Sequence, residues 1–255
     1  MRKQPLFVFG LVPVLVHAAC AAPKFAVDAG YTQMKVAGTV ALANSVGSLN
    51  GAVEQGIDSA FGLGDQRGSP FLRVDAEFGG PGLFASGFSF AEHGRGVLAA
   101  NFGGIASATP VNSEFELLAT KVGGVWSFDL GPASIAPGIA LDVFDFDFRA
   151  SDSIGNAEII DELVAVPVLM LRGEGGLGPV RLRGEIGYIE GPGSGGSTNR
   201  FVDAEAALAW SPSANWHLLA GYRHIGVDAT GDTDTQTFAI DIELRGWFVG
   251  GGIAF

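Results

Sequence analysis

Side chains able to do acid–base chemistry are sparse in this sequence. After the first two dozen residues three histidines remain, His93, His217 and His224. His93 follows Glu92 directly and His224 lies four residues before Asp228, so each has a carboxylate near it in sequence with which to form an acid–base pair. A lone histidine beside an acid is more commonly a surface residue. The expectation is therefore no catalytic residue and no enzyme, with His224 the first position to test. Two loops gather hard oxygen donors. "DATGDTDTQ" holds Asp228, Asp232 and Asp234, and "DFDFRASD" holds Asp145, Asp147 and Asp152, donors of the kind calcium takes. Neither follows a complete calcium-loop pattern, and acids are ordinary in solvated loops; no metal and no cofactor is expected. "GLGDQRG" at 62–68 lacks the length and lysine of a phosphate loop.

The charges with strict spacing belong to strands. In "FLRVDAEF", Leu72, Val74, Ala76 and Phe78 alternate with Arg73, Asp75 and Glu77. "VRLRGEIGY" sets Val180, Leu182, Ile186 and Tyr188 against Arg181, Arg183 and Glu185, and "FVDAEAALAW" sets Val202 to Trp210 against Asp203 and Glu205. "TFAIDIEL" sets Phe238, Ile240, Ile242 and Leu244 against Asp241 and Glu243. Each has one apolar face and one polar face. A soluble sandwich or ligand-binding barrel hides the apolar face, whereas an outer-membrane barrel turns it to lipid.

The connections favour the second arrangement. Short links at 79–82, 129–132, 175–179 and 211–215 alternate with longer polar stretches at 37–68, 94–112, 149–157, 191–199 and 228–236. Short turns at one end and long loops at the other mark an outer-membrane barrel, with turns in the periplasm and loops outside. The fold expected is all-β, an antiparallel transmembrane β-barrel of about ten strands, starting near residues 24, 69, 83, 114, 133, 159, 180, 200, 216 and 237. Phase changes near Leu117–Leu118 and Val143–Phe144 read as bulges. Val40, Ala43, Val46, Leu49 and Val53 fall at helical intervals and predict a short helix over the mouth.

Composition agrees. Charged residues make up only 16%, mean hydropathy is +0.32, and 39 glycines exceed the usual share. "MRKQ", an apolar centre and "ACAAP" form a signal peptide over residues 1–21, leaving the barrel as residues 22–255. Cys20 would leave with it; the alternative, a lipidated Cys20, departs from the usual lipobox at His17. Loss of Arg2 and Lys3 leaves 13 basic residues against 27 acidic, a net charge of −14, and excludes nucleic acid as a natural partner.

The chain ends "WFVGGGIAF". Trp247, Val249, Gly251, Ile253 and Phe255 share one face, and eight residues at ~3.4 Å each, tilted by ~40°, rise about 21 Å, close to the apolar band of a barrel. Trp247 and Phe255 then mark opposite interfaces, with Trp126, Trp210 and Trp216 in the periplasmic girdle. This ending resembles the C-terminal signal of outer-membrane β-barrel proteins, and the resemblance implies recognition by the barrel assembly machinery. "VDAGYTQMKVAG", "IDSAFGLGDQRGSPFLR" and "LRGWFVGGGIAF" are similar to segments of small proteobacterial outer-membrane proteins, whose members carry no motif that names an activity. The local motifs of omptin proteases and lipid A deacylases are absent.

The polar face is assigned to the lumen: Arg73, Asp75, Glu77, Lys121, Arg181, Arg183, Glu185, Asp203, Glu205, Arg223, Asp241 and Glu243, with Gly87, Gly187 and Gly221 making room. Ten strands enclose little space, so these charges are expected to fill it as ion pairs. The function expected is a monomeric, outer-membrane surface or envelope component contacting lipid and holding no cofactor. A narrow pore for solutes or ions and a soluble periplasmic ligand-binding barrel are the alternatives.

Overall fold

The computed structural model describes residues 23–43, 49, 52–192, 198–213, 215–232 and 236–255; the signal-peptide assignment for 1–21 lies outside them. Ten long strands follow one another: β1 (Lys24–Ala43), β3 (Arg67–Glu77), β4 (Pro81–Val97), β5 (Pro110–Trp126), β7 (Ala133–Asp152), β8 (Ala157–Leu177), β9 (Val180–Pro192), β10 (Thr198–Trp210), β11 (Trp216–Asp232) and β12 (Thr237–Ala254). Each starts within four residues of the position expected from alternation. Two-residue segments, β2 (Gln55–Gly56) and β6 (Phe128–Asp129), pair with β1 and β7.

Sequential strands pair antiparallel, and β12 pairs with β1 from Ala26↔Ala254 to Ala43↔Thr237, closing the sheet into a barrel with no free long edge at the seam. Phe25 and Phe255 exchange backbone hydrogen bonds of 2.8 and 2.9 Å there, and their rings stack at 5.8 Å.

The strands outrun a membrane. Twenty residues of β7 at ~3.3 Å, tilted by ~40°, rise about 50 Å, twice the ~25 Å apolar band. The strands run into three of the expected long loops: β7 to Asp152 with β8 from Ala157, β9 to Pro192 with β10 from Thr198, and β11 to Asp232 with β12 from Thr237. The register of β5 with β7 is unbroken from Val111↔Asp152 to Val125↔Gly138, so there is no bulge at Leu117–Leu118 or Val143–Phe144. What changes at those residues is the environment. On β7 the outward face runs Ile135, Ile139, Leu141, Val143 and then Asp145, Asp147, Arg149; the inward face runs Ala136, Ala140, Asp142 and then Phe144, Phe146, Phe148. Lipid outside and charge inside give way, above the interface, to water outside and an apolar interior.

Of the residues expected in a helix over the mouth, Val40 and Ala43 belong to β1 and Val46 lies outside the described residues; a short helix, α1 (Ile57–Phe61), follows further along. Gly62 ends it at φ 67°, a left-handed conformation that suits glycine. Phe61 packs edge-on against Phe102 and Phe148 at 5.1 and 5.0 Å, capping the outer end. Buried Glu92 pins the following loop by accepting from Gly64 N and Asp65 N at 2.9 and 2.7 Å.

Candidate functional site

Two layers fill the barrel. The membrane-level layer is ionic. Arg73 on β3 reaches Glu185 on β9 at 3.0 Å, five strands away in a ring of ten and hence across the full diameter. Glu185 also accepts from Lys121 Nζ and Arg172 Nε, both at 3.2 Å. Lys121, only 3% exposed, meets Asp203 at 2.5 Å, and Asp142 lies 3.8 Å away. Arg223 grips Asp203 with two bonds of 3.1 and 2.7 Å, and Arg172 bonds Asp75 at 2.8 Å. Nearer the periplasm, Asp28 holds Arg183 at 3.2 Å and His217 at 2.7 Å. Arg73, Arg172 and Arg223 also stand 4.6 to 5.4 Å from the rings of Phe84 or Phe88. Every buried charge named here has an opposite partner, the arrangement that makes burial tolerable.

Of the lumen residues expected, Arg73, Asp75, Lys121, Arg183, Glu185, Asp203 and Arg223 are in this network, and Glu205 faces the same space beside Arg73 and Arg223. Glu77 and Arg181 sit at the periplasmic mouth, where Arg181 pairs with Glu174 at 3.1 Å. Asp241 and Glu243 do not face inward. The ladder from β12 to β11 and β1 is continuous through them, so they share the outward face of Trp247, while Ile240, Ile242 and Leu244 point inside. The hydrophobic pattern of β12 inverts without any slip because its outer third stands above the membrane. Gly87 likewise faces outward beside Leu72, whereas Gly187 and Gly221 face inward.

Sequence reasoning missed Asp28, Asp142, Arg172 and His217. Arg172 was findable, since Met170, Arg172 and Glu174 alternate with outward Leu169 and Leu171. Trp126, Trp210, Trp216, Trp247 and Phe255 all lie exposed on the outer face. The first three stand beside the short turns. Trp247, 65% exposed, packs edge-on with Tyr222 at 5.0 Å near the other interface.

His93 and His224 do not form the acid–base pairs their sequence neighbours suggest. His93 points outward and pairs with Glu114 at 3.3 Å, not with Glu92. His224 and Asp228 lie on one outer face, but four residues of strand separate them by ~13 Å. Asp228 instead faces Arg200 at 3.7 Å. Asp152 is occupied with its own turn, accepting from Ile154 N, Asn156 N and Asn156 Nδ2 at 2.7 to 2.9 Å; Asp234 lies outside the described residues. Among the described residues no group of three or more His, Cys, Asp and Glu is arranged to hold a metal ion.

The outer layer is apolar. Above the ion pairs lies a cavity of about 480 Å³ walled by Phe115, Leu117, Phe144, Phe201, Ile225, Ile242 and Leu244 among others, within the size range of small-molecule sites.

No protein-family model and no curated protein sequence matches the chain. Solved structures do. The outer-membrane protease OmpT of Escherichia coli superposes with a TM-score of 0.57 at 9% identity, covering 91% of this chain and 96% of that one. Ail, the attachment invasion locus protein of Yersinia pestis, gives 0.43 at 12% identity over 92% of this chain and all of that one. The translocator domain of the autotransporter NalP from Neisseria meningitidis gives 0.41 at 10% identity, over 92% and 89%. At these identities the fold alone is shared: that of a small bacterial outer-membrane β-barrel.

Proposed function

We propose that this protein is a non-conducting, non-enzymatic surface barrel of the bacterial outer membrane, exported by a cleaved signal peptide, seated by the barrel assembly machinery and acting as a monomer. One observation carries the proposal. Side chains from β1, β3, β5, β7, β8, β9, β10 and β11 meet in the lumen at membrane level, and Arg73–Glu185 and Arg172–Asp75 bridge far walls at 3.0 and 2.8 Å. Moving a solute through would require separating paired charges in a water-poor interior, which costs several kcal/mol for each ion left without its partner. Above the membrane the outer face carries acids including Glu114, Glu116, Asp145, Asp147, Asp241 and Glu243, a solvated belt between the lipid surface and whatever the barrel meets outside.

Planar-bilayer recording of the refolded barrel tests this directly. The expected result is a silent bilayer; steady unitary current steps would establish the narrow pore instead. Recovery of the protein in the soluble periplasm without detergent would overturn the membrane assignment itself.

A further inference from the structure

Among the described residues the barrel wall is not hydrogen-bonded all the way up between β8 and β9. β8 pairs with β7 along its whole rise, but with β9 only from Leu169↔Tyr188 to Leu177↔Val180. Continuing that register would set Pro167 opposite Glu190 and Ala165 opposite Pro192, and neither proline has an N–H to give to a ladder. Among the described residues the second edge of 157–168 pairs with no strand. At the outer tip the start of β8 is held by other elements, where Gln236 Nε2 donates to Glu158 Oε2 at 2.8 Å and Gly104 N to Glu158 Oε1 at 2.6 Å. The result is a side window between residues 165–168 of β8 and 189–192 of β9, bounded below by the Leu169↔Tyr188 pair.

Three observations say what passes through it. First, the window opens into the apolar cavity: Val164, Ala165, Val166, Pro167, Ile189 and Pro192 belong to the cavity wall. Second, its flanks are largely apolar on the outside as well, with one carboxylate, Glu190, accepting from the Tyr188 hydroxyl at 2.7 Å. Leu163 and Leu169 point outward, Leu169 with 72% of its surface exposed, and Tyr188 opposite Leu169 is an outward aromatic of the interfacial kind. Third, a shallow apolar groove on the barrel exterior, lined by Ile139, Leu141 and Leu169, shares Pro167 and Ile189 with the cavity. In lipid, an unpaired strand edge is tolerated only where it lines a cavity or is covered. Here edge, groove and cavity form one continuous apolar surface from the membrane-facing wall to the interior.

The geometry points to a binding site for a long apolar chain, that of a fatty acid or of an outer-leaflet lipid, which enters sideways from the membrane between β8 and β9. The ion pairs beneath form the floor: a chain can lie against Phe144, Phe201 and Ile225, but the desolvated charges of Lys121 and Asp203 stop it from going deeper. At the outer rim of the cavity Arg200, on the outer face and 3.7 Å from Asp228, stands where a headgroup would remain in water. The proposal is independent of conduction, since a chain held in the outer half leaves the lumen closed below.

Photolabelling of the full barrel refolded in phosphatidylcholine vesicles tests it with two probes: free stearate carrying a mid-chain diazirine, and phosphatidylcholine carrying the same chain. Adducts are mapped by peptide mass spectrometry, with outward Val249 and Leu182 as the internal standard for lipid-face labelling. Interior adducts on Phe201, Ile225 or Ile242 are expected, and the probe that gives them identifies the source. Ala165→Trp, at the window, should slow interior labelling severalfold and leave the outward standard unchanged; Val166→Trp serves should that barrel fail to fold. Ile242→Trp, which fills the cavity, should abolish interior adducts. Labelling confined to outward residues with both probes would overturn the binding site. Interior labelling at an unchanged rate in the window variants would overturn the lateral route.

Discussion

Replacing Glu185 with glutamine removes the acid on which three cations converge. Arg73, Lys121 and Arg172 lie 3.0, 3.2 and 3.2 Å from it, and at an effective dielectric of ~20 each contact is worth about 5 kcal/mol of gross attraction. Burying Glu185 itself costs several kcal/mol, so the sum overstates the loss, and breaking a buried pair typically costs ~3–5 kcal/mol. The cations are not abandoned. Arg73 and Arg172 keep Asp75 at 2.8 Å each, and Lys121 keeps Asp203, which places the expected cost of Glu185→Gln at the low end, ~3 kcal/mol. The assay is reversible urea unfolding from phosphatidylcholine vesicles, followed by the fluorescence of the four tryptophans. Asp241→Asn on the exposed outer face is the comparison and should stay within ~0.5 kcal/mol. A Glu185→Gln cost no larger than that of Asp241→Asn would show that the lumen charges are solvated and that the closed interior is wrong.

The same assay reads the two faces of β12. Arg at Val249 should cost ~2–4 kcal/mol and Arg at Glu243 ~0–1, because the first lies in lipid and the second above it. Leu244→Arg should be as damaging as Val249→Arg although it sits above the membrane, since it places a charge in the apolar interior; a harmless Leu244→Arg would reverse the assignment of faces. Deleting Phe255 removes its stack on Phe25 and two backbone bonds at the closing seam, and should lower the heat-modifiable folded form in the outer membrane without reducing export. Unchanged assembly would remove the role given to that terminus.

Alternation made the strands legible because a barrel strand in lipid has to keep one face apolar along its buried length, as Leu72, Val74 and Ala76 do against Arg73 and Asp75. It misled where that requirement ends. Ile240, Ile242 and Leu244 carry the same signal as Val249 and Ile253 but mean the opposite, since an apolar residue faces lipid within the membrane and the protein interior above it. The supposed bulges at Leu117–Leu118 and Val143–Phe144 are the same crossing seen on β5 and β7. Partners in the ion network were illegible for another reason: Arg73 and Glu185 are 112 residues apart, and only ring closure brings them together. The helix signal misled at Val40 and Ala43, where closely spaced apolar residues at a strand's end read like one face of a helix, while five-residue α1 is too short to show a period.

The Phe-rich outer half gives the molecule two kinds of stability. Within lipid, surrounding tails are as apolar as leucine, and packing and hydrogen bonding hold the wall. Above it, Phe61, Phe102, Phe115 and Phe148 leave water for a protein interior, as in any soluble domain, and their exposure on unfolding raises the heat capacity by ~0.45 cal/K/mol for each Å² of apolar area. That half therefore follows a curved stability profile with a maximum near ~10–20 °C and loosens on deeper cooling. A chilled cell surface would relax the apolar cup while the paired charges beneath it still bridged the walls.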